Sequence, residues 1–206
     1  MNILLVGNIA SGKGTLAEGL EKELKLKHIS VGDIFRSIMT EDTPLAKEVK
    51  VYMDKGQLVP DCITVNLILN RLSQEDCKNG CILDGFPRSL NQAYALDEKL
   101  KLDKVLLIEV AESTIIKRLT SRISCPSCKK IYNTSWYNSD TCECGTKLTQ
   151  RADDLDTQAI KSRIASFENN TMPVIEHYKK QNKVETLNGE NSPQEVLTQA
   201  LEILKV

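Results

Sequence analysis

A glycine-rich stretch near the start of the chain has the composition of a phosphate-binding loop. It runs from Gly7 to Thr15, between a short aliphatic run and a segment of helical periodicity. Small residues let backbone N–H groups turn toward phosphate oxygens, and the N-terminus of the following helix adds its positive dipole end. Lys13 can reach the outer phosphates, so the stretch predicts a nucleoside triphosphate site. An ordinary glycine turn with a surface lysine is the alternative.

A second motif, Asp-Gly-Phe-Pro-Arg from Asp84 to Arg88, directly follows the apolar run Cys81–Leu83. Open α/β sheets bind ligands at the carboxyl ends of their parallel strands. A carboxylate there can hold a water molecule on Mg²⁺, and an arginine can clamp a phosphate group with two hydrogen bonds. Asp84 and Arg88 are therefore candidate site residues, with a plain solvated loop as the alternative.

Four of the seven cysteines lie close together in the chain. Cys125 and Cys128 form a CxxC pair, and Cys142 and Cys144 form a CxC pair, which predicts four thiolate ligands around a structural zinc ion. The tighter second pair leaves free reduced thiols as the alternative. The other three cysteines are expected to be small buried side chains: Cys62, Cys77 and Cys81.

These candidate sites need a framework that brings them to one edge of a sheet. Strand-like apolar runs alternate with helical stretches, which predicts an α/β fold with a parallel sheet. Ser192 and Glu195 have the spacing of a capping box at the start of a final amphipathic helix. The apolar runs are Asn2–Val6, Cys81–Leu83, Val105–Val110 and Val184–Leu187.

Two segments interrupt this alternation. Residues 30–59 are mainly helical and polar, and residues 123–150 have hardly any aliphatic side chains. Each is expected to be an insertion placed over a site. A metal in the second segment would supply the cross-link that a hydrophobic core cannot provide there.

The overall charge is nearly balanced, with 27 Lys and Arg residues against 28 Asp and Glu residues. This gives no electrostatic case for non-specific binding to nucleic acid or to a membrane. No apolar stretch approaches the roughly 20 residues that span a bilayer, and the N-terminus lacks the basic region of a signal peptide. The chain is expected to be soluble and cytoplasmic and, because no strong apolar surface stripe is left over, monomeric.

Together the motifs give the chain a resemblance to the adenylate kinase family over nearly its whole length. The resemblance implies a P-loop kinase with a five-stranded parallel sheet, which transfers a phosphoryl group from Mg·ATP to AMP and yields two ADP. It also implies a core of residues 1–29, 60–121 and 159–206, a helical AMP-binding insertion at 30–59 and a lid at 122–158. The motifs are Gly12 to Thr15, His28 to Asp33 with Arg36, Gly56 to Pro60, Asp84 to Arg88 with Gln92, Arg118 with Arg122, and Arg151 to Asp154.

The resemblance further implies a role for each matching residue. The ATP-binding set is Ala10, Ser11, Gly12, Lys13, Gly14, Thr15, Arg118, Arg122, Ile131, Tyr132 and Asn191. The AMP-binding set is Val31, Arg36, Gln57, Leu58, Val59, Gly85, Phe86, Pro87, Arg88, Gln92, Arg151 and Arg163. The catalytic set is Lys13, Asp84, Arg88, Arg118, Arg122, Arg151 and Arg163. Gln92 would read the adenine, Asp153 and Asp154 would link lid to core, and the four clustered cysteines would hold structural zinc in the lid.

The chain departs from the family pattern at a few positions. Ile9 and Ala10 replace the usual Pro and Gly of the loop, which is expected to change its stiffness, and Val31 replaces a Thr near the AMP base. The spacing from Arg151 to Arg163 is one residue longer than the common form. His28 is assigned to structure or to the surface.

Two other functions compete with this prediction. One is a kinase for UMP, CMP or GMP, which Gln92 disfavours because relatives acting on pyrimidine monophosphates do not usually keep a Gln in this setting. The other is a zinc-ribbon module that binds nucleic acid or protein. That module needs a basic, aromatic surface, and the basic and aromatic residues of the lid have no continuation in the rest of the chain.

Overall fold

A five-stranded parallel sheet lies at the centre of the computed structural model, which describes residues 1–205 apart from the side chains of Ala152 and Asp153. The strands of the chain are β1 (Asn2–Gly7), β2 (Lys27–Ser30), β3 (Cys81–Asp84), β4 (Lys104–Glu109), β5 (Arg122–Ser124), β6 (Ile131–Asn133) and β7 (Val184–Asn188). The central sheet has the order β2-β3-β1-β4-β7, and β5 and β6 form a separate antiparallel pair. Because all five central strands are parallel, their carboxyl ends meet at one edge of the sheet.

Helices connect the strands and cover the sheet. They are α1 (Lys13–Leu24), α2 (Val31–Ile38), α3 (Pro44–Asp54), α4 (Asp61–Leu72), α5 (Leu90–Asp97), α6 (Glu112–Thr120), α7 (Ala152–Leu155), α8 (Thr157–Ser166), α9 (Met172–Lys179) and α10 (Pro193–Leu204). A 3₁₀ turn at Glu75–Cys77 precedes β3, and a π-helical turn at Phe167–Thr171 joins α8 to α9. Across residues 1–205, no helix is both long enough and apolar enough to cross a bilayer.

The sheet is buried on both faces, as its apolar strands predict. Along β1, Leu4 and Val6 join one hydrophobic cluster, while Ile3 and Leu5 join a second cluster on the opposite face. The four strands expected from apolar runs are present, each within a residue or two of its predicted bounds. Strand β2 was not signalled by an apolar run, because Ile29 is its one buried side chain.

The capping box predicted at the start of the last helix is confirmed. Ser192 caps α10, and the Ser192 N–H donates in return to Glu195 Oε2 at 2.8 Å, which completes the predicted capping box. The expectation for the three scattered cysteines is confirmed for Cys77 and Cys81 but wrong for Cys62. Cys62 lies in the first turn of α4 on the exposed side, where no neighbouring element covers it.

Two segments project from this framework. The helical segment, residues 30–59, contains α2 and α3. The cysteine-rich segment, residues 122–158, contains the β5–β6 pair, α7 and a small buried cluster of its own. The cluster consists of Cys125, Tyr132, Cys142 and Leu148.

Candidate active site

The phosphate loop lies between β1 and α1, as the sequence predicts. Gly12 precedes α1 with a φ of 105°, a left-handed conformation that glycine adopts without steric cost. The Lys13 ammonium donates to the carbonyl oxygens of Gly7 at 2.8 Å and Asn8 at 2.7 Å, so the loop is wrapped around its own lysine. Ser11 is buried in the loop, whereas Thr15 is exposed at the start of the helix.

The two unusual loop residues have distinct structural consequences. Ile9 is buried against Ile115 and Leu119 of α6, so it fixes the loop to the neighbouring helix. Ala10 has a φ of 54°, in the left-handed region where a Cβ is unfavourable. The loop therefore holds a conformation that suits glycine while carrying an alanine, and the Ile9 contact helps to keep it there.

Several cations meet beside this loop. Lys13, Arg88 and Arg163 line one small cavity together with Leu58 and Pro87. Burial lowers the pKa of Lys13 to about 8; Asp84 opposes that shift, and nearby arginines such as Arg88 and Arg163 add to it. The longer spacing before Arg163 has not moved it out of this cleft. Such a cluster of positive groups suits several phosphates at once.

Asp84 is the carboxylate at the centre of this cluster, at the end of β3. Burial alone would raise the pKa of Asp84. The His28 ring and the Lys13 ammonium lower it by more, so the pKa lies below its usual value. His28 Nε2 lies 3.7 Å from Asp84 Oδ2 and has no hydrogen-bond partner among the described residues. His28 thus lies at the site rather than on a free surface, and Asp84 is held ionised.

Arg118, on α6, connects the loop to the end of the sheet. Its guanidinium donates to the carbonyl oxygens of Ser11 at 3.2 Å and Gly189 at 2.6 Å. Asn191 lies two residues further on, exposed in the turn between β7 and α10. The predicted contact of Asn191 with the ATP adenine remains a prediction.

The helical segment presents a second group of charges. Arg36 donates to Asp33 Oδ1 from Nε at 3.1 Å, and the charge of Arg36 lowers the pKa of Asp33 against the effect of burial. Both residues line a cavity of about 290 Å³ between the helical and cysteine-rich segments, which Arg151 and Lys129 line from the other side. This cavity and the cleft beside the loop are the two candidate nucleotide spaces.

The remaining predicted AMP-site residues form the walls between these spaces. Val31, Val59 and Phe86 are buried in the core, so they position the site by packing. Leu58 and Gly85 line the cleft, and Gln57 is exposed. Pro87 also lines the cleft.

A buried ion cluster ties the cysteine-rich segment to α8. Arg122 Nε donates to Asp154 Oδ2 at 2.7 Å, and Arg163 Nη1 donates to Asp154 Oδ1 at 3.2 Å. The Asp154 side chain is 1% exposed. Asp153, predicted to share this linking role, has its side chain outside the described part of the chain.

Two residues of β6 occupy different surroundings. Ile131 reaches the start of α1, because a Cβ built on Gly14 would lie 3.2 Å from its Cδ1 atom. Tyr132 is instead buried inside the cysteine-rich segment, with its hydroxyl 3.2 Å from Cys142 Sγ. The Tyr132 ring therefore stabilises the segment. The predicted contact of Tyr132 with ATP stays a prediction, and it would involve the backbone.

The four clustered cysteines converge despite the short second pair. Their sulfur atoms lie within 4.8 Å of one another, and the pairs Cys125–Cys144 and Cys128–Cys142 are each 3.5 Å apart without a disulfide. Tetrahedral zinc with Zn–S bonds of about 2.3 Å needs sulfur atoms roughly 3.8 Å apart. Hydrogen bonding with the Thr146 hydroxyl and backbone N–H lowers the pKa of Cys144 to about 6, which favours the thiolate that a metal requires.

Sequence reasoning missed some residues of this site. Asp33 and His28 lie inside the motif from His28 to Asp33, so the sequence indicated their neighbourhood but not their contacts. Asp61 had no signal, yet its carboxylate accepts hydrogen bonds from Gln92 Nε2 at 2.7 Å and Ser89 Oγ at 2.8 Å. Those partners lie about 30 positions away, so only the fold brings them together.

Comparisons with known proteins agree on one family. The sequence model described as "Adenylate kinase" matches residues 5–183. A protein of Clostridium perfringens named adenylate kinase is 43% identical over 99% of this chain and 98% of its own length. Adenylate kinases of Clostridium kluyveri and Thermosipho africanus are 43% and 41% identical over 97% and 100% of this chain, and over 96% and 100% of their own lengths.

The ion cluster at Asp154 generates a stability prediction. The variant Asp154→Ala should lose about 3 kcal/mol of unfolding free energy, because it leaves Arg122 and Arg163 without their shared buried carboxylate. Urea unfolding followed by fluorescence reports on the cysteine-rich segment, since Trp136 is the only tryptophan of the chain. Far-UV circular dichroism reports on the helices of the core.

Asp42→Ala is the matched control. Asp42 pairs with Lys47 at 2.8 Å on the surface, where its side chain is 91% exposed. Removing that pair should cost less than about 1 kcal/mol. Equal losses for the two variants would contradict a structural role for the buried cluster.

Proposed function

The chain belongs to the adenylate kinase family, and we propose that its site residues divide into an ATP side and an AMP side of one cleft. It is a phosphotransferase, an enzyme that transfers a phosphoryl group from ATP to AMP. An oxygen of the AMP phosphate bonds to the γ-phosphorus of ATP, and the bond from that phosphorus to ADP breaks, so two ADP are formed. The observation that carries the proposal is the convergence of Lys13, Arg88 and Arg163 on one cavity.

On the ATP side, the phosphate loop and α1 receive the triphosphate. Lys13 exchanges its contacts with the Gly7 and Asn8 carbonyl groups for phosphate oxygens, and Arg118 keeps the loop beside the β7–α10 turn. Mg²⁺ bound with ATP would neutralise part of the triphosphate charge. Asp84, ionised and next to Lys13, is the residue that would hold a water molecule on that ion. The chain supplies position and charge rather than a covalent intermediate.

On the AMP side, Arg36 and Arg88 clamp the phosphate group and Gln92 recognises the base. Arg88 lies in the cleft with Lys13, while Arg36 lies in the cavity with Arg151. The carboxylate of Asp33 holds Arg36 in place until a phosphate competes for it. For both arginines to clamp one phosphate, the cavity and the cleft must join when AMP binds. The AMP phosphate would then lie in reach of the γ-phosphorus, where proximity contributes to the rate.

The helical and cysteine-rich segments act as an AMP-binding insertion and a lid. Supporting this division, the cavity between them is lined by cations from both segments, and Ile131 contacts the start of α1. We place the core at residues 1–29, 60–121 and 159–206. Asp154 then serves as the connection between lid and core through Arg122 and Arg163. The monomeric state and cytoplasmic location expected from the sequence remain predictions.

The lid also holds a structural zinc ion in this proposal. The four sulfur atoms lie within 4.8 Å of one another, spacings that fit one tetrahedral ion. Cys125 and Cys142 are buried, while Cys128 and Cys144 are exposed. The ion would therefore lie near the surface of the lid and cross-link it there. Its contribution is structural, because all four ligands are protein thiolates and no position is open for a substrate.

An assay with different phosphate acceptors tests the function. With Mg·ATP held constant, kcat/KM for AMP should exceed that for UMP, CMP or GMP by roughly 10²-fold or more, because an unmatched base leaves a buried amide without its partner. Formation of ADP is measured by a coupled assay. Similar values for AMP and for another monophosphate would contradict the assignment of AMP as the acceptor.

Metal analysis tests the zinc site. The purified protein should contain about one zinc ion per chain, and a strong chelator should lower the melting temperature of the lid, followed by Trp136 fluorescence. Cys125→Ser should reproduce the effect of the chelator, because it removes a buried ligand. The control Cys62→Ser changes an exposed cysteine outside the cluster and should have no effect. Zinc-free protein of unchanged stability would contradict the proposal.

A further inference from the structure

The carboxamide of Gln92 is held on two sides by groups of opposite character. Gln92 is 2% exposed, and its Oε1 atom accepts a hydrogen bond from the Arg88 backbone N–H at 2.8 Å. Its Nε2 atom donates to Asp61 Oδ1 at 2.7 Å. A backbone N–H can only donate, and an ionised carboxylate can only accept. The two contacts together fix which end of the amide is oxygen and which is nitrogen.

Rotation of the amide by 180° would be unfavourable at both ends. The Gln92 nitrogen would then face the Arg88 N–H, and its oxygen would face the Asp61 carboxylate. Each contact would place like groups against each other in a nearly fully buried position, where an unsatisfied polar group is costly. Of the two partners Asp61 is the one that a side-chain substitution can alter.

Asp61 is itself held in place by neighbouring elements. Its second oxygen, Oδ2, accepts a hydrogen bond from Ser89 Oγ at 2.8 Å, and Ser89 Oγ in turn accepts from the Gln92 backbone N–H at 3.2 Å. Asp61 lies in the first turn of α4, where the helix dipole favours a negative charge. The contacts form a closed network that joins the starts of α4 and α5.

After these two contacts the amide retains one N–H and one oxygen lone pair, and in the proposed function these face the AMP base. Adenine offers a matching edge, with the exocyclic N6–H as donor beside a ring nitrogen as acceptor. Hypoxanthine has an oxygen acceptor in place of the N6 donor, so it would face the Gln92 oxygen with another acceptor. The reversed amide would suit that base better. The orientation of Gln92 therefore decides between the two bases.

We propose that Asp61 is a positioning residue that fixes the Gln92 amide in its adenine-reading orientation and so determines the choice between 6-amino and 6-oxo purine monophosphates. The proposal rests on the proposed function, in which Gln92 recognises the AMP base. Asp61 acts through Gln92 and needs no contact with the nucleotide.

The variant Asp61→Asn tests the proposal in the full chain. Asparagine keeps the shape but can present either a donor or an acceptor to Gln92. With Mg·ATP saturating, the ratio of kcat/KM for AMP to that for IMP should fall roughly tenfold or more, the effect of losing one hydrogen bond to a charged group. The change should appear in KM for AMP, with KM for ATP unchanged. Melting temperatures show whether the variant is folded.

Two further variants separate positioning from general structural damage. Asp61→Glu keeps a group that can only accept, so it should retain the preference for AMP over IMP even where AMP binds more weakly. Glu112→Gln removes an exposed carboxylate from the first turn of α6 and should leave the ratio unchanged. If the AMP-to-IMP ratio of kcat/KM falls in Asp61→Glu as well, the proposal is overturned. An acceptor-only group at position 61 would then not be sufficient to keep the preference for AMP.

The wild-type protein distinguishes the two levels of the proposal. Turnover with AMP in the wild type, together with an unchanged AMP-to-IMP ratio in Asp61→Asn, would overturn the role of Asp61 alone. Absence of wild-type turnover with AMP would instead overturn the proposed function. If Asp61→Asn does not fold, Asp61→Ala takes its place, because it also removes the acceptor: a fall in the ratio would support the role of Asp61, and an unchanged ratio would overturn it.

Discussion

Repulsion among positive charges beside the phosphate loop is the constraint on which the rest of the structure depends. The chain as a whole is nearly neutral, with a formal charge of −1, so the fold rather than the composition concentrates the cations. Burial and, to a smaller extent, neighbouring arginines lower the pKa of Lys13 to about 8, against the opposing charge of Asp84. Bringing such groups together costs free energy in the unliganded protein. In the proposed function, the phosphates of two nucleotides would offset that cost.

Carboxylates lie beside the cations in each part of the molecule and balance their charge. Asp33 pairs with Arg36 in the helical segment, and Asp154 pairs with Arg122 and Arg163 between the cysteine-rich segment and α8. Asp84 lies next to Lys13 in the core itself. In the proposed function, nucleotide binding would exchange one set of charge pairs for another. A site built in this way can stay folded while empty and still hold several phosphates when full.

Short-range signals in the sequence predicted much of this arrangement, and long-range contacts were the part it could not supply. Apolar runs and glycine spacing predicted four central strands and the phosphate loop. Strand β2 has a single buried residue, so no apolar run indicated it. The convergence of CxxC with CxC depends on two bridges, Ser124 with Thr149 and Thr141 with Lys147, which bring the second pair back beside the first. The burial of Tyr132 and the contact of Asp61 with Gln92 join residues whose neighbourhood only the tertiary structure defines.

The most direct test of the central claim compares the stability and the turnover of Lys13→Met. Below pH 8 the wild-type lysine is charged in both the folded and the unfolded state, so the folded state bears the full cost of the buried charge; that cost disappears as the pH rises from about 8 to 10.5. At pH 7 the variant should unfold at the same or a higher urea concentration than the wild type, while its turnover falls at least about 10²-fold. A clear loss of stability at pH 7, or retained turnover, would contradict the account.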